Sequence, residues 1–321
     1  MKIYQDFPLS KILYYRIGGT ARYVINVQSI DDVKEALVFI KQENIPRVMP
    51  IGLGANILVN DTPFDGAILW FKKSNSRKIR LTKEGLIEAF ASEMLDELIQ
   101  FSFANSSVGL EWAGGLPSTI GGAIRGNVGA YGGEIKDNVV KVEVLEVAQN
   151  GVNQRIMALQ DCDFSYRSSF FKKNKNVFIV AGYFSLKKGN KKDVKEARSI
   201  YASHIVERKV NHPLEYPNCG SVFKNIVETK KVAKIISVWP EVTEFSENKW
   251  HGKIAMGYVI KRLGFSGYQV GGAQVSEKHA NYIINIKKAR FSDVVAIIET
   301  IKRTFYQTFG FYPDTEVEII Y

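Results

Sequence analysis

Apolar positions recur at three- and four-residue steps in some stretches of the chain and alternate with polar ones in others. Val33, Ala36, Leu37 and Ile40 follow helical spacing behind Ser29 and Asp31, either of which could cap a helix. "RVMPIG" and "GAILWF" read as short apolar strands, which makes the opening portion a small α/β unit. Lys78 to Ala89 reads as a hairpin around "KEG", and Met94, Leu95, Leu98 and Ile99 predict a second helix. "VVKVEVLEVA" then alternates Val140, Val142 and Val144 against Lys141 and Glu143, as a half-buried strand does. Val194, Ala197, Tyr201 and Ile205 share one helical face that leads into "NHPLEYPNCG", whose prolines and glycine mark a connection. One further helix is expected to end at Gly264. Another, with Val294, Ile298, Ile301 and Phe305 on one face, should run from Ser292 to Gly310, with "DTEVEIIY" as a closing strand. Strands and helices mix without regular βαβ alternation, so the expected class is α+β, with a main boundary near residue 206.

At 321 residues, with 45% hydrophobic and 12% aromatic side chains, the chain has core enough for two globular domains. Its formal charge of +10 is scattered, with only short clusters such as Lys187-Lys188 and Lys191-Lys192. Such a surface attracts phosphorylated small molecules but lacks the single basic stripe of a nucleic-acid binder, so no nucleic-acid partner is expected. Cys162 and Cys219 form no CxxC pair, and His204, His212, His251 and His279 fit no metal-ligand spacing, so no metal is expected. "MKIYQDFPLSKILYYRIGG" has no apolar run of signal-peptide length, and the run around Val177 to Leu186 is too short to span a bilayer. The expected location is the cytoplasm, with no membrane partner.

Two glycine segments carry the first chemical signal. "PIGLGANILVND" has Ile57 where a dinucleotide fingerprint needs a third glycine, and an apolar run follows in place of a helix, so it is not a Rossmann turn. Its glycines still permit a sharp turn that gathers N–H groups around an anion, as well as a plain structural turn. Residues 114 to 133 hold glycines at 114, 115, 121, 122, 126, 129, 132 and 133, alternating with Leu116, Ile120, Ile124 and Val128. That backbone is costly to order unless something large lies against it, and a flat ring system with a phosphate tail would suit it. In "NCGSVFKN", Ser221 reads locally as a turn residue, a nucleophile or a proton donor. The nucleophile is the weakest of these because the G-x-S-x-G elbow is missing.

"YYRIGGTARYVINV", "PIGLGANILVND", "GLEWAGGLPSTIGGAIRGNVGAYGGEI", "FSYRSSFFK", "CGSVFKN", "GYQVGGAQVSEKHANYIIN" and "DTEVEII" together resemble, in order, the motifs of the UDP-N-acetylenolpyruvoylglucosamine reductase family. The resemblance implies a vanillyl-alcohol-oxidase-type (PCMH-like) FAD-binding region of two subdomains plus a C-terminal α+β substrate-binding domain. On this sequence these are residues 1–205 (subdomains about 1–72 and 73–205, the terminal strand 314–321 returning to the first) and 206–313. It implies tightly bound FAD, NADPH as hydride donor, UDP-N-acetylglucosamine enolpyruvate as substrate in peptidoglycan precursor synthesis, and a monomer. The rival reading is another FAD-dependent oxidoreductase of the same flavin fold, acting on a hydroxy acid or alcohol.

Position by position, the resemblance assigns the proton donor to Ser221, the catalytic arginine to Arg167 and the catalytic glutamate to Glu316. Flavin contacts fall on Gly52, Leu53, Gly54, Ala55, Asn56 and Ile57, then on Gly115, Pro117, Ser118, Thr119, Gly121, Gly122, Asn127, Gly129 and Tyr131. Substrate contacts fall on Tyr166, Lys224, Asn225 and Gln274, while His279 reads more readily as a structural histidine. Reduction of an enol ether conjugated to a carboxylate gathers negative charge, so a forked cation and a well-held acid are what the site needs. The chain departs from the family's usual residues at Ala55, Ser118, Ser168, Ile226 and Glu318. Ser168 is the departure of most consequence, since it removes an acidic neighbour of Arg167.

Overall fold

The computed structural model describes every residue except Arg77 and Asn150. The chain forms two compact units, one of Met1–Phe7, Thr20–Leu53 and Pro63–Val210, the other of Pro8–Gly19, Gly54–Thr62 and Asn211–Tyr321. The division therefore falls at 210/211, five residues beyond the expected position, and two N-terminal segments group with the C-terminal part. The helix Lys191–Asn211 contains no glycine or proline to stop it at Ile205 and runs on until His212-Pro213.

In the first unit a four-stranded sheet has the order Lys2–Pro8, Thr20–Val27, Phe64–Phe71, Val48–Ile51. Phe64–Phe71 is parallel to both Thr20–Val27 and Val48–Ile51 and almost wholly buried, as a strand covered on both faces should be. The helix Ile30–Gln42 buries the four expected apolar residues, and its cap is Ser29, whose Oγ accepts the N–H of Asp32 at 3.1 Å. A five-stranded antiparallel sheet follows, ordered Gly151–Ala158, Val139–Ala148, Val177–Phe184, Ile87–Phe90, Ile79–Leu81. One continuous apolar core, from Tyr23 to Ala197, fills this unit.

The second unit has its own core, from Tyr15 to Val317. An antiparallel sheet orders Asn218–Ser221, Tyr282–Asn285, Ala273–Val275 and Gln269–Val270. The helix Phe291–Phe309 packs seven buried apolar side chains and stops at Gly310, whose φ of 69° closes the last turn. Asp61 accepts the N–H of Phe291 at 2.7 Å, so the segment Gly54–Thr62 is tied into this unit. The closing strand is shorter than expected: only Glu318–Ile320 is strand, parallel to Ile57–Val59, while Thr315 bridges to Phe223. Among the described residues no helix is long and apolar enough to cross a membrane, and no cluster of His, Cys, Asp and Glu could hold a metal ion.

Candidate active site

In the first unit an open cavity is walled by Gly52, Phe71, Thr119, Gly122, Arg125 and Phe171, among others. Its glycines are required by packing. A side chain on Gly52 would place its first carbon 2.2 Å from Thr119 Oγ1, and one on Gly121 would lie 3.0 Å from the Ala91 methyl. Thr119 caps the helix Ile120–Gly126 by accepting the N–H of Gly122 at 3.3 Å. Ile120 N–H goes to the carbonyl of Glu93 and Gly121 N–H to that of Ala91. The amides of this first turn are therefore engaged by protein. By contrast, among the described residues the N–H groups of Leu53, Gly54 and Ala55 donate to no carbonyl, and Gly54 has the positive φ (61°) of a tight turn. A loop with open amides fits a diphosphate, and in the first unit an apolar cavity with one arginine in its wall fits an aromatic ring system.

Several motif residues serve the protein itself. Gly114 and Gly115 let the helix Lys191–Asn211 approach: a carbon on Gly114 would meet the Tyr201 carbonyl at 2.5 Å, and Arg208 donates to the Gly114 carbonyl at 3.0 Å. Pro117 leads into Ser118, whose N–H returns to Leu116 and whose hydroxyl donates to the Thr119 carbonyl. Asn127, fully buried at φ 42°, donates to Glu134 at 3.1 Å and to the Ser165 carbonyl at 2.9 Å, and accepts from Lys136 N–H. Tyr131 is exposed and stacks on His204, with ring centroids 3.8 Å apart.

Arg167 occupies the tip of a two-residue turn in which Ser165 and Ser168 exchange main-chain hydrogen bonds at 3.0 and 3.1 Å. Its φ of 57° is unfavourable for a side chain this long, and such strain persists where the surroundings over-determine it. Its Nη2 donates to the Gly129 carbonyl at 2.6 Å, and its guanidinium lies 5.0 Å from the ring of Tyr166. A side chain at Gly129 would collide with Glu134 and crowd Arg167 Nη1, so this glycine is what lets the two come together. Arg125 and Glu134 are charged residues the sequence reading passed over. Arg125 is an isolated charge within a glycine and apolar segment, which is the signal that singles it out, while Glu134 opens the charged run Glu134-Ile135-Lys136-Asp137 at that segment's end.

In the second unit Ser221, Glu316 and the Gly54–Ile57 loop converge. The strand Asn218–Ser221 pairs Asn218 with Ile284 and Ser221 with Tyr282, and the extra residue is absorbed at Gly220, φ 77°. Asn218 Oδ1 accepts Gly220 N–H at 2.9 Å and holds the bend. The chain then runs along 314–316: Glu316 N–H donates to Val222 O at 2.8 Å and Lys224 N–H to Asp314 O at 2.9 Å. Asn56 Nδ2 reaches the Glu316 carbonyl at 3.3 Å, and Asn56 O accepts from Glu318. Gly220 faces the Ala55 carbonyl. Ser221 is half-buried, and among the described residues its hydroxyl has no hydrogen-bond partner. Asn225 Oδ1 takes the N–H of Met256, and Gln274 Nε2 reaches the Gly267 carbonyl. His279 Nδ1 accepts the N–H of Asn281, and burial pushes its pKa down. The ring is therefore a structural histidine. Cys219 is fully buried, and burial pushes its thiol up to about 12.

The family model described as "UDP-N-acetylenolpyruvoylglucosamine reductase, C-terminal domain" matches residues 212–320, and that described as "FAD binding domain" matches residues 21–152. A curated UDP-N-acetylenolpyruvoylglucosamine reductase of Caldicellulosiruptor bescii is 34% identical over 98% of this chain and 90% of its own. That of Carboxydothermus hydrogenoformans is 36% identical over 99% of this chain and 94% of its own. The solved reductase of Thermus caldophilus covers the whole chain and 98% of its own with a TM-score of 0.72 at 21% identity, which shows the fold. The fold class is thus the α+β class expected, with an FAD-binding domain of the PCMH-like kind. On these matches the chain belongs to the UDP-N-acetylenolpyruvoylglucosamine reductase family.

Proposed function

We propose that Ser221 protonates, and Arg167 and Glu316 steady, UDP-N-acetylglucosamine enolpyruvate as this FAD- and NADPH-dependent reductase converts it to UDP-N-acetylmuramate. When bound, FAD would supply the hydride chemistry that links NADPH to the enolpyruvyl double bond. The loop from Gly52 to Ile57 would hold the flavin's diphosphate through the open amides of Leu53, Gly54 and Ala55. In the first unit the cavity beside Thr119, Gly122 and Arg125 would take part of an aromatic ring framework. The observation that carries the assignment is the hydrogen-bonded register of Ser221–Val222 against Glu316, with Ala55–Asn56 alongside.

Hydride arriving at the terminal carbon leaves charge on the inner carbon and the carboxylate. Ser221 Oγ, unengaged by protein, delivers its proton to that inner carbon. A hydroxyl is a weak acid, yet a carbanion is base enough to take its proton when the two are held in contact. Arg167 offers a fixed fork to the carboxylate, and Glu316 sets its charge balance. Lys224 suits the diphosphate. Asn225 and Gln274, each tied on one side to the main chain, would present their other amide atoms to the substrate. Tyr166 is a further candidate substrate contact. The reading includes a monomer working in the cytoplasm.

The test is one anaerobic cuvette. NADPH should bleach the flavin band, and UDP-N-acetylglucosamine enolpyruvate should restore it in the parent protein and fail to do so in Ser221→Ala. Restoration at the parental rate in that variant would remove Ser221 from the mechanism.

A further inference from the structure

Glu134 has no role in the assignments above, yet several neighbours of the first unit converge on it. It stands in the short antiparallel pair Gly129–Ala130 and Gly133–Glu134, opposite Gly129. Asn127 Nδ2 donates to its carboxylate at 3.1 Å and Lys136 Nζ lies 2.9 Å away. Its own main-chain N–H is capped by Asp137 at 2.8 Å. The carboxylate is thus held by two side chains, and the main chain that carries it by a third, more than a surface ion pair would require. Arg167 is its second cationic neighbour. A carbon placed on Gly129 would be 2.8 Å from Glu134 Cγ and 3.1 Å from Arg167 Nη1, so both side chains close over the same Cα. Burial opposes ionisation of Glu134, but hydrogen bonds from Lys136 and Asn127 and the charges of Lys136 and Arg167 outweigh it and hold the carboxyl below its ordinary range. It is an anion between two cations.

We propose that Glu134 is the positioning residue for Arg167: with the Gly129 carbonyl it fixes the guanidinium at the tip of its strained turn, where the substrate carboxylate is to be met. This rests on the assignment of Arg167 to that carboxylate. It also answers the Ser168 departure, because the acidic neighbour missing on one side of Arg167 in sequence is present on another through Glu134. A guanidinium set about 1 Å off loses on the order of 10- to 100-fold in rate.

The experiment uses the FAD-loaded protein and Glu134→Gln, which keeps shape and removes charge. Flavin reduction by NADPH should stay within about twofold, while reoxidation by the enolpyruvyl substrate slows about 10- to 100-fold. Titration of the flavin spectrum should show weaker binding of UDP-N-acetylmuramate, which carries the carboxylate, and unchanged binding of UDP-N-acetylglucosamine, which lacks it. Glu134→Asp should recover most of the rate. In Arg167→Ala the further change Glu134→Gln should add no loss. If Arg167→Ala itself reoxidises at the parental rate, the assignment of Arg167 fails. If Arg167→Ala is crippled while Glu134→Gln is not, or if the two losses multiply, the positioning role is overturned. Should the glutamine variant not retain flavin, the same cycle is run with Glu134→Asp and Arg167→Lys, where independent losses again overturn it.

Discussion

The main-chain carbonyl of Val222 accepts the N–H of Glu316 at 2.8 Å. Because Val222 follows Ser221 directly, this bond fixes the candidate proton donor and the candidate carboxylate in one register across 94 positions of sequence. The bond is between main chains, so it survives side-chain substitution at either residue. Variants there should therefore alter chemistry and leave the fold intact.

Ser221→Ala is expected to slow flavin reoxidation by the enolpyruvyl substrate by about 10²- to 10⁴-fold, the range of a lost general acid. Glu316→Gln should slow it less. Stopped-flow absorbance separates the two half-reactions: the NADPH step should be unchanged in both variants. A slowed NADPH step would place these residues at the nicotinamide and away from the enolpyruvyl group.

Gly52→Ala tests the packing of the cavity wall. The added methyl would lie 2.2 Å from Thr119 Oγ1, and Thr119 cannot swing away without giving up its cap on Gly122. A loss of about 1–3 kcal/mol from overpacking is expected, with lower flavin content. Gly126→Ala, where an added methyl meets nothing within 4 Å, should by contrast be neutral or stabilising by about 0.5 kcal/mol. Melting temperature and the ratio of flavin to protein absorbance check both.

Much of this arrangement was legible in sequence, for identifiable reasons. The Ser29 cap, the Val33 to Ile40 face and the stop at Gly310 are local signals and appear as expected. The boundary near 206 was not, because nothing in the composition around Ile205 distinguishes it from the helix that continues to Asn211. Nor could periodicity reveal that Thr315 pairs with Phe223 while Glu318 to Ile320 change partner to Ile57–Val59. Long-range pairing has no period. The glycines of residues 114 to 133 read alike in sequence but divide in space: Gly114 and Gly115 admit a helix, Gly129 admits Arg167, and Gly122 lines the cavity.

Glu93 makes a pH prediction. Its side chain is fully buried, and among the described residues neither carboxylate oxygen has a hydrogen-bond partner closer than the weak approach of the Lys78 main-chain N–H. Burial pushes its pKa up and Glu97 adds to this, against the main-chain N–H of Lys78 and the charges of Lys73 and Lys78. The folded state therefore holds the proton more tightly than the unfolded state. The stabilisation is fully present below the ordinary glutamate value of about 4.3, and is lost as pH rises from there through the raised one. Glu93→Gln should abolish that decline and gain about 1 kcal/mol at pH 8 over the parent, with little difference at pH 4. Urea midpoints at the two pH values decide it; a parent that does not weaken between them would show that Glu93 is stably ionised in the fold.

The thiol beside Ser221 supplies the last prediction. Cys219 is two residues from the candidate acid and could be mistaken for a nucleophile, but burial pushes its pKa up to about 12, and that of Cys162 to about 11. The reactive species is the thiolate, so at pH 8 almost none is present and neither sulfur is accessible. A chromogenic disulfide reagent should therefore titrate no thiol in the native protein and two after denaturation. One fast thiol in the native protein that is lost in Cys219→Ala, and with it turnover, would mean that the strand Asn218–Ser221 opens in solution and that the chemistry at its end must be reassigned.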